Sequence, residues 1–505
     1  MPHTEAPVIR QPRLRLAALL KSRLEGPVLA PIRAFRAAYL PLLTIYLASG
    51  ALGLVAVADS FWVKQSLTLT PAELASLAVW LQLPWSAKMV ISEFVDCLAI
   101  LGSRRRAYTF IGAGLIALGL VLLAGAAGGW LTFAGPERIY VLAQLLVVIG
   151  SVIQEVVADA MGPEVVARAN PDGSPRPPAD VAADLAMVEV LARLTYSIGA
   201  FAVAGIAGVL AQSLPYATVF LLGLIVPALS LTGAFLVRLQ GVGPGRRPDW
   251  PILGGGIALA AVATLLGLSA FRFAQEVVFL VSLAVICVML RRVMGSLDAV
   301  LKRRIALVAV MIFAFRAVPV LGDGYRWFAI DRLGFDETFV GVLQLTGTGV
   351  GLAAMWLLTD AVVRRPATTV LLWLTALATM LFLPSLLLVN GVHHWTEPVL
   401  GIGARSIALI DEAAQSPLAL LATVPLLALV AVHAPPAQRA TWFALIASLM
   451  SLAIVASQLL TKYLNLLFPI DRGAYDALPS LVLAVIVIAV VLPLTAILTV
   501  GRRVR

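Results

Sequence analysis

Six ionisable residues of this sequence stand inside long apolar runs: Lys88, Glu155, Asp159, Glu189, Arg193 and Arg316. A charge in an apolar medium is costly, so one that is retained there is expected to bind a ligand, move a proton or pair with another charge. Spacing narrows the chemistry. Glu155 and Asp159 are i,i+4, and two carboxyls that close disfavour joint ionisation, so one is expected to keep a proton near neutral pH and to act in proton coupling. Glu189 and Arg193 share the same spacing with opposite signs and can pair. Tyr196 follows on their face, and Trp85 precedes Lys88 by three residues. Both rings offer stacking surfaces beside Lys88, Arg193 and Arg316, the cations suited to an anionic ligand.

The elements that carry these charges follow from composition. The chain has 505 residues, 61% hydrophobic and 13% charged, with a mean hydropathy of +0.97. A soluble domain is about 25% charged, and no soluble core absorbs this apolar excess. Apolar windows fall at 37–59, 74–95, 107–128, 139–162, 183–210, 216–238, 252–270, 273–290, 304–322, 338–359, 367–390, 406–433, 439–465 and 478–500. Each suffices as a helix to cross roughly 30 Å of hydrocarbon. The expectation is an all-α polytopic membrane protein with about fourteen spans, or twelve if 252–290 does not cross. A turn near 270–272 makes that pair a hairpin. Counting the helix rise from the nearest span end puts Glu155 about 10 Å deep, Lys88 about 12 Å, Arg193 about 15 Å and Arg316 about 18 Å.

Basic residues fix the expected orientation. With the N-terminus inside, 26 Lys/Arg fall on the inner side and 7 on the outer, with 4 inside spans. That is a strong positive-inside bias, and it accounts for the net charge of +10 without a nucleic-acid partner. Both termini and the 168–180 loop are therefore expected to be cytoplasmic, in an inner, cytoplasmic membrane. Residues 1–36 read as a basic tail and 501–505 as a second one. Between them lie a six-helix bundle over 37–240, an insert over 241–303 bounded by a Gly/Pro-rich and a basic stretch, and a second six-helix bundle over 304–500. Both bundles carry an acid followed by arginines after their second span, Asp96 with Arg104, Arg105 and Arg106 in one and Asp360 with Arg364 and Arg365 in the other. Repeated halves suit a transporter with a site at the repeat interface.

Enzyme and metal chemistry find no support. Gly254–Gly256 and the 347–351 glycine run lack phosphate-loop spacing and read as helix-packing faces. Cys97 and Cys287 read as packed thiols, and the four histidines show no ligand spacing, with His393 and His394 in an outer loop. Asp59 and Lys462 lie near span ends and are expected to snorkel. Asp411 and Glu412, near the outer end of another span, either line a pathway or cap a helix.

The run Pro84-Trp85-Ser86-Ala87-Lys88, followed by Asp96, Gly102 and Arg104-Arg105-Arg106-Ala107-Tyr108, resembles the signature PWxxK…D…GyRRxxY of the folate-biopterin transporter family, a branch of the major facilitator superfamily. Asp159-Ala160 is similar to that family's acidic DA pair, and APPAQRATWFALIAS at 434–448 resembles a later segment. Met89, Ser92, Ala99, Ser103 and Arg439 depart from the pattern.

The resemblance implies a major-facilitator-type fold and alternating access without cofactors. The implied cargo is a folate or pterin anion, with protons as driving ion and the bilayer as surroundings. Glu155 would accept the donor pair of a pterin ring. Lys88, Arg193 or Arg316 would hold a carboxylate, while Trp85 and Tyr196 stack. Asp96 with Arg104, Arg105 and Arg106 would form a cytoplasmic gate latch. Transport of another organic anion or drug/proton exchange on the same fold is the alternative, and a non-transporting membrane scaffold the second.

Overall fold

The computed structural model describes residues 33–100, 102–103, 105–170, 172–236, 250–269, 271–295, 298–363, 367–416 and 439–501. Among these the chain is helical throughout, joined by short turns, as continuous apolar runs require when every backbone N–H and C=O must be satisfied within its own segment. The first half supplies α1 (Ala37–Ser66), α2 (Pro71–Cys97), α3 (Arg106–Ala127), α4 (Pro136–Val165), α5 (Pro178–Ser213) and α6 (Tyr216–Leu236). The insert supplies α7 (Trp250–Leu268) and α8 (Ala274–Val293). The second half supplies α9 (Ala299–Arg316), α10 (Gly322–Asp331), α11 (Glu337–Val363), α12 (Ala367–Leu381), α13 (Leu383–Val389), α14 (His393–Leu400), a further helix over 404–416, α15 (Arg439–Leu467) and α16 (Leu478–Ala496).

Among the described residues, 9 helices are long and apolar enough to span a membrane: α1 to α6, α8, α15 and α16. α7 contributes a shorter apolar stretch, Leu253–Gly267. It packs against α8, the next helix in the chain. The 406–433 window is described only as far as residue 416, and the 1–32 tail, Arg104, the 237–249 linker and Arg364 and Arg365 lie outside the described residues.

Two helices break inside apolar windows. α2 is interrupted at Ala87, where one helical piece ends at Ser86 and the next begins at Lys88. The 304–322 window is displaced: α9 starts earlier, at the Asp298 N-cap that accepts from Leu301 N–H at 2.6 Å, and stops at Arg316. Arg316 is therefore the last residue of α9, at the break before α10. Residues 317–321 are non-helical and are stitched to α15 by Ser457 Oγ donating to Val318 O at 2.6 Å and Val320 N–H donating to Thr461 Oγ1 at 3.1 Å.

The halves meet mainly through α2 against α15 and α5 against α11. At Gly208 and Gly341 the α5 and α11 backbones touch, since a Cβ on Gly208 would lie 2.8 Å from the Gly341 Cα.

Candidate functional site

The first half gathers its charges around the break in α2. Lys88 Nζ stands 2.7 Å from Glu155 Oε1 and 2.7 Å from Asp159 Oδ2, a cation held between the two carboxylates of α4. The Tyr46 hydroxyl, from α1, donates to the other oxygen of Asp159. Sequence spacing alone brings Glu155 and Asp159 into repulsion. The structure adds Lys88, which places a charge of opposite sign between them. The side chains remain 24%, 33% and 42% accessible, so the triad faces open space and not a sealed core.

Arg193 and Glu189 pair at 2.7 Å along α5, both more than half exposed, and Tyr196 on the next turn is 48% exposed. Trp85 is half-buried against the apolar cluster that holds Tyr39, Val95 and Val156. Arg316 stands apart. Among the described residues it has no ion pair, and its buried Nε makes no hydrogen bond. Of the three cations nominated from the sequence, Lys88 and Arg193 are matched by carboxylates and Arg316 is not.

Of Arg105 and Arg106, it is Arg105 that pairs with Asp96. Its Nη2 donates to Asp96 Oδ1 at 2.9 Å and to Glu164 Oε1 at 2.7 Å, tying the end of α2 to the end of α4. Glu164 escaped the sequence reading, because nothing in its spacing marks a partner on another helix. Arg106 does something else, its guanidinium lying 5.2 Å from the Phe235 ring centre and 5.8 Å from that of Phe110.

Other expectations change. Lys462 does not snorkel: its ammonium donates to Glu276 at 2.8 Å and Gln275 at 2.9 Å on α8. Gln275 in turn donates to the Ser76 carbonyl at 3.0 Å, so the insert is fastened to both halves. Asp59 is held inside by Gln144 at 2.9 Å and Tyr140 at 3.3 Å. Asp411 is buried and accepts from Ser385 at 2.8 Å. His393 and His394 begin a helix and stack at 4.0 Å, and among the described residues no His/Cys/Asp/Glu group could hold a metal. Cys287 is exposed on α8 and not packed; Cys97 donates to Glu93 at 3.1 Å.

At the end of the molecule away from Asp96 and Arg105 the halves are clasped. Arg472 donates to the Lys64, Leu69 and Leu67 carbonyls at 2.8, 3.1 and 2.5 Å, and its guanidinium lies 4.2 Å from the Trp327 ring centre. Lys64 pairs with Asp331, which also accepts from Tyr475. Arg326 donates to Ser60 at 3.0 Å, and Tyr216 to Glu337 at 2.8 Å. The clasp between the halves lies at this end of the molecule.

The sequence model of the BT1 family matches residues 49–504. The chain belongs to the BT1 family. This BT1-family chain is 27% identical over 456 residues to the folate-biopterin transporter of Synechocystis sp., covering 88% of this chain and 78% of that protein. Among solved structures it resembles a POT family transporter in complex with 5-aminolevulinic acid, with a TM-score of 0.64 at 15% identity over 93% of this chain and 96% of that one. It also resembles the xylose transporter of E. coli in an inward-open conformation, with a TM-score of 0.55 at 12% identity over 91% and 94% of the two chains. At these identities the likeness concerns the fold, and it bears out the all-α, major-facilitator-type fold expected from the sequence. The BT1-family chain is a multi-pass membrane protein of transporter type.

Proposed function

We propose that this protein is a secondary active transporter that moves a folate or pterin-type organic anion by alternating access, coupled to protons. The observation that carries this reading is Arg316, half-buried at a helix break, whose buried Nε makes no hydrogen bond and which has no counter-ion among the described residues. An unmatched buried charge is expensive, and a carboxylate on the cargo would match it. Interrupted helices are where transporters of this general kind present backbone and charge to a ligand. Lys88, Glu155, Arg193, Trp85 and Tyr196 complete the binding set, and the Synechocystis relative, a folate-biopterin transporter, suggests the substrate class.

Coupling follows from the triad. Glu155 and Asp159 together hold Lys88. A proton on either carboxyl weakens that hold and lets the ammonium turn to an anion. The Asp96–Arg105–Glu164 contact, at the end away from the clasp, acts as a latch, with Arg104 as its neighbour in sequence. The positive-inside bias makes that end cytoplasmic, with both termini on the same side of the cell membrane. Six-helix bundles over 37–240 and 304–500, with a membrane hairpin within 241–303, give the rocking parts and fourteen spans.

The test is transport by the purified protein in proteoliposomes under an imposed pH gradient, with radiolabelled folates, pterins and unrelated organic anions. Gradient-driven accumulation of a folate or pterin, lost in Arg316→Ala, is expected. Accumulation of none of these cargoes, or wild-type uptake by Arg316→Ala, defeats the reading.

A further inference from the structure

Hydroxyls inside membrane helices usually fold back on their own helix. Here Ser49 donates to Ile45 O at 3.0 Å, Ser60 to Ala56 O at 2.9 Å, Ser151 to Val147 O at 2.8 Å and Thr195 to Leu191 O at 2.7 Å. Ser86 and Ser282 do not. Both Oγ atoms are buried with no partner among the described residues, and Ser282 is only 2% exposed. Both line one cavity of about 60 Å³, which Ser448, Gly255, Met89 and Met289 also line. Its walls come from the break in α2, from both helices of the insert and from α15 of the second half.

We propose that this cavity is a hydration site, holding ordered water that bridges the α2 hinge, the insert and the second half. Two orphaned neutral hydroxyls facing one space call for a small neutral hydrogen-bonding group, since a buried unpaired hydroxyl costs about 1–3 kcal/mol. Size selects water. A water takes about 30 Å³ of liquid volume, and a benzene-sized guest occupies a cavity nearer 150 Å³. Depth excludes a lipid headgroup, because the neighbouring Lys88 lies about 12 Å from the span end. An acyl chain reaches that depth and offers neither hydroxyl a partner. The water gives Ser86 an exchangeable partner at the point where α2 is interrupted, so the hinge can change its angle without stranding a polar group.

The inference does not depend on the cargo, and its test does not read transport. The full chain in lipid nanodiscs is exposed to X-ray pulses, which generate hydroxyl radicals from bound water, with a bulk radical scavenger present, and methionine oxidation is followed by mass spectrometry. Met89 and Met289 should oxidise several-fold faster than Met311, which is 0% exposed and outside the cavity lining. Ser448→Leu should remove the excess, because Ser448 lines the cavity from α15 and is 4% exposed, so the larger side chain occupies that space. Ser282→Ala, which barely changes volume, should reduce the excess and serves if Ser448→Leu fails to fold. Rates equal to that of Met311, an excess abolished by the scavenger, or one unchanged in both variants overturns the proposal; the first of these is the result expected of an acyl chain.

Discussion

Arg316 and Lys88 are both cations at helix breaks, and they differ in company. Lys88 is compensated twice over, whereas Arg316 relies on whatever enters beside it. Arg316→Ala should therefore raise the KM for an anionic cargo about tenfold or more, the loss of a charge-assisted contact of about 1.5–3 kcal/mol. It should abolish uptake and exchange alike at limiting substrate, and Arg316→Lys should recover part of both; uptake and counterflow in the same vesicles check this. Glu155→Gln and Asp159→Asn should behave in the opposite sense. Each mimics the protonated carboxyl, so gradient-driven accumulation should fall sharply while exchange persists. Full accumulation in both variants assigns the triad a structural role. Residue types made these candidates legible, since charge in an apolar run is visible without a structure. Their partners were not: Tyr46, Glu164 and Gln275 lie 113, 59 and 187 positions from the groups they bind.

At the scale of elements, apolar windows placed the helices well and their interruptions poorly. Pro319 marked the gap after α9, because a proline disfavours helix in the residue before it, yet the hydropathy of 304–322 runs straight through it. The earlier start of α9 had its own sign in Asp298, an N-cap residue before a helical run. Two predictions belong here. Asp96→Asn removes the charge from one of the two carboxylates that pair with Arg105 at the α2–α4 junction. Turnover should fall while ligand affinity stays near wild type, since the side chain biases a conformation without touching cargo; binding by thermal shift against flux separates the two. Glu276→Gln takes the counter-charge from the Lys462 ammonium, which is 14% exposed, and leaves it only neutral acceptors. Loss of one partner of a buried pair costs about 3 kcal/mol, so the melting temperature in detergent should drop by several degrees. Unchanged melting would mean that the insert is not held through this pair.

The whole molecule carries its clasp between the halves at the Arg472 end. Composition announced a membrane protein and the signature its fold, but neither said which end is shut, because that depends on pairs formed between halves. Arg472→Ala should shift the population toward a state open at the clasp, read as faster labelling of a cysteine introduced at residue 65. The clasp also has a defined pH response. Burial works to raise the Asp331 carboxyl, but hydrogen bonds from Lys64 and Tyr475 outweigh it and hold the carboxyl below its usual range. A depressed carboxylate contributes above its unpaired pKa, and its contribution is lost as pH falls through the lowered value. Cysteine accessibility at the clasp should thus be flat from neutral pH down to the ordinary carboxylate range and rise only below it, leaving any proton response near neutrality to other groups. Arg472 has one more property. It grips main-chain oxygens of the 63–69 segment, groups that every amino acid supplies. That grip is therefore indifferent to the side chains the first half carries there, the Lys64 partner of Asp331 excepted, while the second half cannot replace its single guanidinium. Across relatives, the closed end should be recorded as one persistent arginine facing a segment kept for its backbone more than for its sequence.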